Sequence, residues 1–218
     1  MATVWSIVVA GGSGSRFGAP KQYALVGGRP VLEWAVDACR PGSAGVVLVL
    51  PADGGDDAPH GADVTVRGGP TRAASVRCGL AAVPDAADII VVHDAARPVA
   101  SSALFDAVVG ALDEAGVDGA VPGVQPSDTI KAVDGSGRVT STLDRAGLMA
   151  VQTPQAFRAA VLRAAHAAGP DATATDDAMV VEAAGGAIVV VEGEAGNVKI
   201  TAPEDLRTAE RLLAAREA

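Results

Sequence analysis

Short apolar runs rich in β-branched residues alternate with alanine-rich amphipathic runs, and this alternation narrows the fold more than any other feature of the chain. The expected strands are 4–9, 45–50, 63–66, 89–92, 119–123 and 188–191. The expected helices are 31–39, 71–82, 102–115, 158–168, 176–184 and 203–215. The first three strands are apolar almost throughout, as strands buried on both faces are. Such alternation, with right-handed crossovers, gives a Rossmann-like α/β fold: a doubly wound, mostly parallel sheet covered on both sides. At 218 residues the chain is the size of a single domain, 1–218. Hydrophobic residues make up 49% but aromatics only 3%, so Val, Ala, Leu and Ile must fill the core. The last helix carries a start signal: Thr201 as N-cap, Pro203 near the first turn, then Glu204 and Asp205 toward the positive end of the dipole.

One stretch departs from the alternation. Residues 127–144 hold two short runs, polar at alternate positions, around Asp134-Gly135-Ser136-Gly137. That is a hairpin signal. The runs are too hydrophilic for the main sheet, and an isolated two-stranded hairpin is marginal in water. The segment is therefore expected to project as a β-arm that packs on a second subunit.

The first strand runs into Ala10-Gly11-Gly12-Ser13-Gly14-Ser15-Arg16-Phe17-Gly18-Ala19-Pro20-Lys21-Gln22. A glycine-rich loop after a strand lets backbone N–H groups close around phosphate oxygens, because no side chain blocks the approach. Arg16 and Lys21 add positive charge at the same place. The combination describes a polyphosphate site, above all one for a nucleoside triphosphate. A P-loop is excluded, since it needs Lys directly after the last glycine and then a hydroxyl. The dinucleotide fingerprint fits poorly too: Gly12, Gly14 and Gly18 have the wrong last spacing, and Pro20 stands where a helix should open. What remains is similar to the sugar-nucleotidyltransferase signature, G-x-G-x-R followed by P-K. The bland alternative, a flexible Gly/Ser loop, seldom combines a strand, this glycine set, an Arg and a Pro-Lys pair.

Other constellations gather at strand ends. His93-Asp94-Ala95-Ala96-Arg97-Pro98 closes the fourth expected strand, and ligands of open α/β sheets lie beyond the carboxyl ends of strands. Asp94 therefore belongs on the edge that bears the glycine loop, where a carboxylate can hold Mg²⁺ directly or through water. Its competing role is a cap. His93 reads as a structural hydrogen-bonding residue rather than a metal ligand. Gly68-Gly69-Pro70-Thr71-Arg72-Ala73-Ala74-Ser75 offers glycines for a flat base and a Ser75 hydroxyl one turn into a helix, while Thr71 would equally cap that helix. Thr153-Pro154-Gln155-Ala156-Phe157 and Ala174-Thr175-Asp176-Asp177-Ala178 look turn-like, with Thr175 or Asp176 available as a cap.

Charge and cysteine content exclude several classes. A net charge of −9 argues against nucleic-acid binding, which needs a basic surface. Lysine is confined to Lys21, Lys131 and Lys199, and Arg supplies the other cationic side chains. Each retained Lys is thus a candidate for a task needing a compact ammonium, although chance placement on a solvated surface competes with that reading. Cys39 and Cys78 form no disulfide framework or zinc spacing and are expected to be ordinary buried thiols. Neither a signal-peptide pattern nor an apolar run near ~20 residues is present, so a cytoplasmic protein outside the membrane is expected.

Taken in order, AGGSGSRFGAPKQY, GGPTRAASV, VHDAARP, SDTIK, TPQAF, TDDA and GNVKIT-x-PEDL resemble the 2-C-methyl-D-erythritol 4-phosphate cytidylyltransferases of the non-mevalonate isoprenoid pathway. The resemblance runs from about residue 4 to 213. It implies the nucleotidyltransferase fold, CTP and a polyol phosphate as substrates, Mg²⁺ as cofactor, and a homodimer with exchanged β-arms. By that resemblance Arg16, Lys21 and Lys199 act on the triphosphate as catalytic cations. Gly11, Gly12 and Gly14 match the backbone cradle, Gly68 and Ser75 the cytosine and ribose pocket, and Asp94 the acid beside the metal, with Ala10 also counted among the nucleotide-binding residues. Arg97, Thr129, Arg145, Thr153 and Thr175 match contacts to the acceptor, with Thr129 and Arg145 supplied by the neighbouring subunit. Gly196 stands where the family often has Asp, so no substrate carboxylate is carried over to that position.

The implied reaction is CMP transfer from CTP to 2-C-methyl-D-erythritol 4-phosphate. The nearest rival is a cytidylyltransferase for another polyol phosphate, such as ribitol 5-phosphate. A non-catalytic nucleotide-binding module gives no reason to retain both loop cations and Asp94. A Rossmann dehydrogenase, with Asp53 as its acidic residue, leaves Arg16 and Lys21 without a role.

Overall fold

Residues 2–11, 17–53, 60–168 and 174–217 are described by a computed structural model. Twelve strands and six helices follow one another along them. The strands are β1 (Val4–Val9), β2 (Leu25–Val26), β3 (Arg29–Pro30), β4 (Gly45–Leu50), β5 (Val64–Arg67), β6 (Ile89–Asp94), β7 (Gly119–Val124), β8 (Lys131–Val133), β9 (Val139–Thr142), β10 (Ala150–Val151), β11 (Gln155–Arg158) and β12 (Ile188–Glu192). The helices are α1 (Val31–Cys39), α2 (Arg72–Ala82), α3 (Ser102–Gly110), α4 (Ala159–Ala167), α5 (Asp177–Ala183) and α6 (Asp205–Glu217).

The alternation produces the expected α/β layers. β5, β4, β1 and β6 lie side by side in parallel register, with Val9 opposite both Val49 and Asp94. Side-chain alternation splits the core between two faces. Val46, Leu48 and Leu50 of β4 pack with Leu32 and Val36 of α1 and Phe105 and Val108 of α3. Val47 and Val49 pack on the other face with Val76 and Leu80 of α2 and Leu162 of α4. A third cluster, Val26, Val31, Val99, Ile200, Ala209 and Leu213, lies where the small β2–β3 hairpin meets α6.

Several expectations need correction. The segment 153–157, read as a turn, contains β11, which runs antiparallel between β6 and β7. Its Gln155, Ala156 and Phe157 are buried. Gly119 opposite Phe157 has no room for a side chain, since an added Cβ would lie 2.4 Å from the Phe157 ring. The sheet is therefore mixed beyond β6, with β10 also antiparallel to β7 and β12 parallel to it. The helix expected over 102–115 ends at Gly110 in a 3-10 turn, Ala111–Asp113, which buries Leu112. The helix expected from 158 begins one residue later, because Arg158 still belongs to β11 and donates to the carbonyls of Val117 and Leu112. Thr201 does not cap α6 with its oxygen. Instead the Asp205 carboxylate accepts from the Thr201 N–H, the Thr201 hydroxyl and the Ala202 N–H. Cys39 is buried as expected, while Cys78 is only half-buried.

The hairpin expected within 127–144 forms, as β8 and β9 in a separate two-stranded sheet. Asp134 shapes its turn by accepting from the Ser136 and Arg138 N–H groups, and Gly137 adopts a positive φ of 81°. Val133 and Val139 on this hairpin are more than half exposed.

Candidate active site

The carboxyl ends of β1 and β6 open onto a cavity of about 330 Å³. Ala10, Gly11, Lys21, Ser75, Asp94 and Lys199 all line it, joined by Gly69–Arg72 from the turn before α2. The in-register pairing of Val9 with Asp94 brings the expected acid beside the loop that follows β1.

Two lysines reach the cavity from opposite ends of the sequence. Pro20 ends the loop, and Lys21 opens a 3-10 turn, Lys21–Tyr23, with its Nζ 2.7 Å from the Ile200 carbonyl. Ile200 in turn donates to the Ala96 carbonyl, which ties the lysine-bearing 196–201 segment to the end of β6. Lys199 Nζ lies 2.6 Å from Asp94 Oδ2. On its other oxygen Asp94 meets Arg72 Nη2 at 3.4 Å, and Arg72 Nη1 continues to the buried Asp177 at 2.7 Å. Burial opposes ionisation of Asp94, but Arg72 and Lys199 outweigh it and hold its carboxyl well below the usual carboxylate range. Burial likewise opposes the charge on Arg72, and Asp177 with Asp94 reverses that effect and raises its pKa.

The Gly68-Gly69 turn is built against Ser75. A Cβ on Gly68 would lie 2.6 Å from Ser75 Oγ, and one on Gly69 2.5 Å from the Ala74 Cβ. Ser75 Oγ accepts from the Gly69 N–H and donates to the Thr71 carbonyl, while Thr71 caps α2 by accepting from Ala74. The helix cap and the glycine turn beside Ser75 are thus parts of one arrangement.

The expected acceptor contacts are dispersed. Arg97 is buried and donates to the Asn197 carbonyl at 2.7 Å; burial pushes its pKa down. Thr153 accepts from the Asp94 N–H at 3.0 Å and its hydroxyl meets His93 Nδ1 at 3.2 Å. Thr175 is exposed, one residue before the Asp176 cap of α5. Thr129 and Arg145 are exposed by the hairpin, and the Arg145 guanidinium donates to the Ser127 carbonyl. Among the described residues, none of these five lines the cavity. Gly12, Gly14 and Arg16 lie outside the described residues.

His93 is fully buried, with Nε2 donating to the Arg97 carbonyl, and burial pushes its pKa down to about 4. It is a structural residue, as its sequence position suggests. Sequence reasoning missed Arg72, Asp177 and the buried Asn197, whose amide donates to the Thr153 carbonyl and Gln152 Oε1. For Arg72 a signal existed: a cation at the first residue of a helix, where the dipole disfavours it.

Among the described residues no cluster of three or more His, Cys, Asp or Glu is gathered to hold a metal. Among the described residues a single acid, Asp94, faces the cavity between two cations. That donor set suits a Mg²⁺ that arrives with phosphate oxygens and takes one protein carboxylate, not a resident all-protein site.

The chain matches the family model IspD, 2-C-methyl-D-erythritol 4-phosphate cytidylyltransferase, over residues 4–215. It is 46% identical to the 2-C-methyl-D-erythritol 4-phosphate cytidylyltransferase of Nocardia farcinica, covering 99% of this chain and 96% of that one. It is 44% identical to the Bifunctional enzyme IspD/IspF of Rhodospirillum rubrum, covering 97% of this chain but only 57% of that protein's length. The crystal structure of 2-C-methyl-D-erythritol 4-phosphate cytidylyltransferase from Thermus thermophilus superposes with a TM-score of 0.80 at 37% identity, over 95% of this chain and 98% of that one.

Proposed function

The chain belongs to the 2-C-methyl-D-erythritol 4-phosphate cytidylyltransferase family, and from that membership we propose that it transfers CMP from CTP to 2-C-methyl-D-erythritol 4-phosphate. The products are 4-diphosphocytidyl-2-C-methyl-D-erythritol and pyrophosphate. The observation that carries the reading is the convergence of Lys21, Lys199, Arg72 and Asp94 on one cavity beside the Gly68-Gly69 turn.

The chemistry follows from charge. An acceptor phosphate oxygen attacks the α-phosphorus of CTP, the bond to the bridging oxygen breaks, and pyrophosphate leaves with those electrons. The two reactants repel each other, and negative charge spreads over the α-phosphate in the transition state. Positioned cations are therefore the useful catalysts, and an ionised phosphate needs no strong base. In this reading Lys21, Lys199 and Arg16 hold the triphosphate, while Gly11, Gly12 and Gly14 offer backbone N–H groups; Ala10 lines the nucleotide cavity but gives its own N–H to the Val49 carbonyl. Gly68 and Ser75 receive the cytosine and ribose. Asp94 provides the protein carboxylate for Mg²⁺, which supplies charge neutralisation on phosphate oxygens when bound.

The acceptor side is assigned to Arg97, Thr153 and Thr175 of one subunit, with Thr129 and Arg145 from the arm of a second. Support for an exchanged-arm homodimer comes from the exposed β8–β9 hairpin, whose Val133 and Val139 are left more than half exposed by the described residues of their own subunit. The 1–218 chain acts as one nucleotidyltransferase domain with 127–144 as that arm, working in the cytoplasm. Among the described residues no helix is long and apolar enough to cross a membrane.

The test is pyrophosphate release from CTP and Mg²⁺ with a panel of polyol phosphates. Turnover that is highest with 2-C-methyl-D-erythritol 4-phosphate is expected. A preference for ribitol 5-phosphate would reassign the acceptor, and no release with any acceptor would overturn the transfer reading.

A further inference from the structure

A chain of ion pairs beneath the cavity carries one more inference, which rests on the transfer reading above. Arg72 is the first residue of α2, where the positive end of the dipole disfavours a cation unless anions offset it. Two carboxylates do so, through different nitrogens: Nη1 meets Asp177 at 2.7 Å and Nη2 meets Asp94 at 3.4 Å. One planar guanidinium thus spans both, which an ammonium could not do in the same way.

Asp177 is fully buried, and its place is fixed from three elements. It sits in the first turn of α5. His166 of α4 places Nε2 3.0 Å from its Oδ1. From β11, the Gln155 amide donates to Asp176 at 2.9 Å and its oxygen accepts from the Ala178 N–H at 3.3 Å. Lys199 contrasts with this clamp. Its side chain is 41% exposed and reaches Asp94 through one contact of 2.6 Å. Asp94 therefore has one anchored cationic partner and one that a competing anion can draw away.

We propose that Asp177 is a positioning residue for nucleotide transfer: it clamps Arg72 against Asp94, so that Asp94 keeps its place at the end of β6 when the triphosphate takes Lys199. Without the clamp, Arg72 has Asp94 as its remaining carboxylate and turns with the ligand. Asp94 then loses its fixed partner in the step that binds CTP.

The experiment compares the full chain with Asp177→Asn, Arg72→Met, Arg72→Lys and the double variant Asp177→Asn/Arg72→Met, using steady-state kinetics, circular dichroism and thermal melting. Asp177→Asn and Arg72→Met are each expected to raise KM for CTP about tenfold, with KM for the acceptor unchanged, and the double variant to lie within about twofold of Arg72→Met. Arg72→Lys is expected not to restore KM for CTP. An unchanged KM for CTP in Asp177→Asn with only a lower melting temperature would show a merely structural role and overturn the proposal. Independent losses that multiply in the double variant would do the same. If Asp177→Asn does not fold, Arg72→Met and Arg72→Lys decide: a wild-type KM for CTP in either overturns the clamp. A wild-type chain that turns over no CTP overturns the transfer reading and the clamp with it, whereas an active wild type with unaltered variants overturns the clamp alone.

Discussion

Lys21 sits where a local and a distant part of the chain meet, since its ammonium rests on the Ile200 carbonyl beside the cavity. Replacement by Ala is expected to lower kcat at saturating CTP by about 100-fold or more, because the ammonium stabilises charge that develops only in the transition state. A circular dichroism spectrum like that of the wild type would confirm that the loss is not unfolding; near-normal turnover would remove Lys21 from the reaction. A second residue-scale prediction concerns His93, which burial pushes down to about 4 from 6.5. The unfolded chain binds this proton first, so stability is full above pH 6.5 and falls as the pH drops toward 4. The ligand-free protein is expected to lose about 3 kcal/mol to this group over that window. Urea denaturation at several pH values checks it, with His93→Gln expected to flatten the slope. At this scale the sequence was informative wherever rarity or strand-end position marked a residue, as for Lys21, Lys199 and Asp94. Arg72 escaped notice because its meaning depends on Asp177, a partner more than a hundred residues away in sequence that only the tertiary fold brings near.

Among the elements, the β8–β9 hairpin was legible and β11 was not. The hairpin declares itself through local turn chemistry, Asp134 accepting from its own turn and Gly137 with positive φ. β11 is short, follows a proline, and begins with a buried glutamine. Its strand character comes from its neighbours, as Gln155 is satisfied by Asp176 and the Ala178 N–H of another element. The hairpin also carries the element-scale prediction. If arms are exchanged, an inactive Lys21→Ala protein mixed with an inactive Arg145→Ala protein should regain activity once subunits exchange. A mixed dimer then holds one site with both residues intact. Absence of any recovery under verified exchange, or a monomer at working concentration, would refute shared sites.

On the scale of the whole molecule, the site is assembled from the ends of β1 and β6, the turn before α2 and the segment before α6. The Gly68-Gly69 turn lies so close to Ser75 and Ala74 that neither glycine has room for a side chain, and Gly69 and Ser75 line the cavity where the proposed reading seats the base. Turnover is accordingly expected to favour CTP over ATP and GTP, measured as kcat/KM for each nucleotide with one acceptor. Equal values for all three would contradict cytosine selection while leaving the fold untouched. The parallel half of the sheet followed from periodicity alone, whereas the mixed half depended on contacts between residues distant in sequence.

The position of β11 has an outcome for the nascent chain. β5, β4, β1 and β6 come from the first 94 residues and can pair as soon as they are made. The strand that seals β6 to β7, however, is synthesised after both of them, at Gln155–Arg158. Until those four residues leave the ribosome, the facing edges of β6 and β7 stand open, and each is a template for pairing with another chain. Slow translation across 125–154 would prolong that exposure, and a holdase chaperone would find its binding opportunity there.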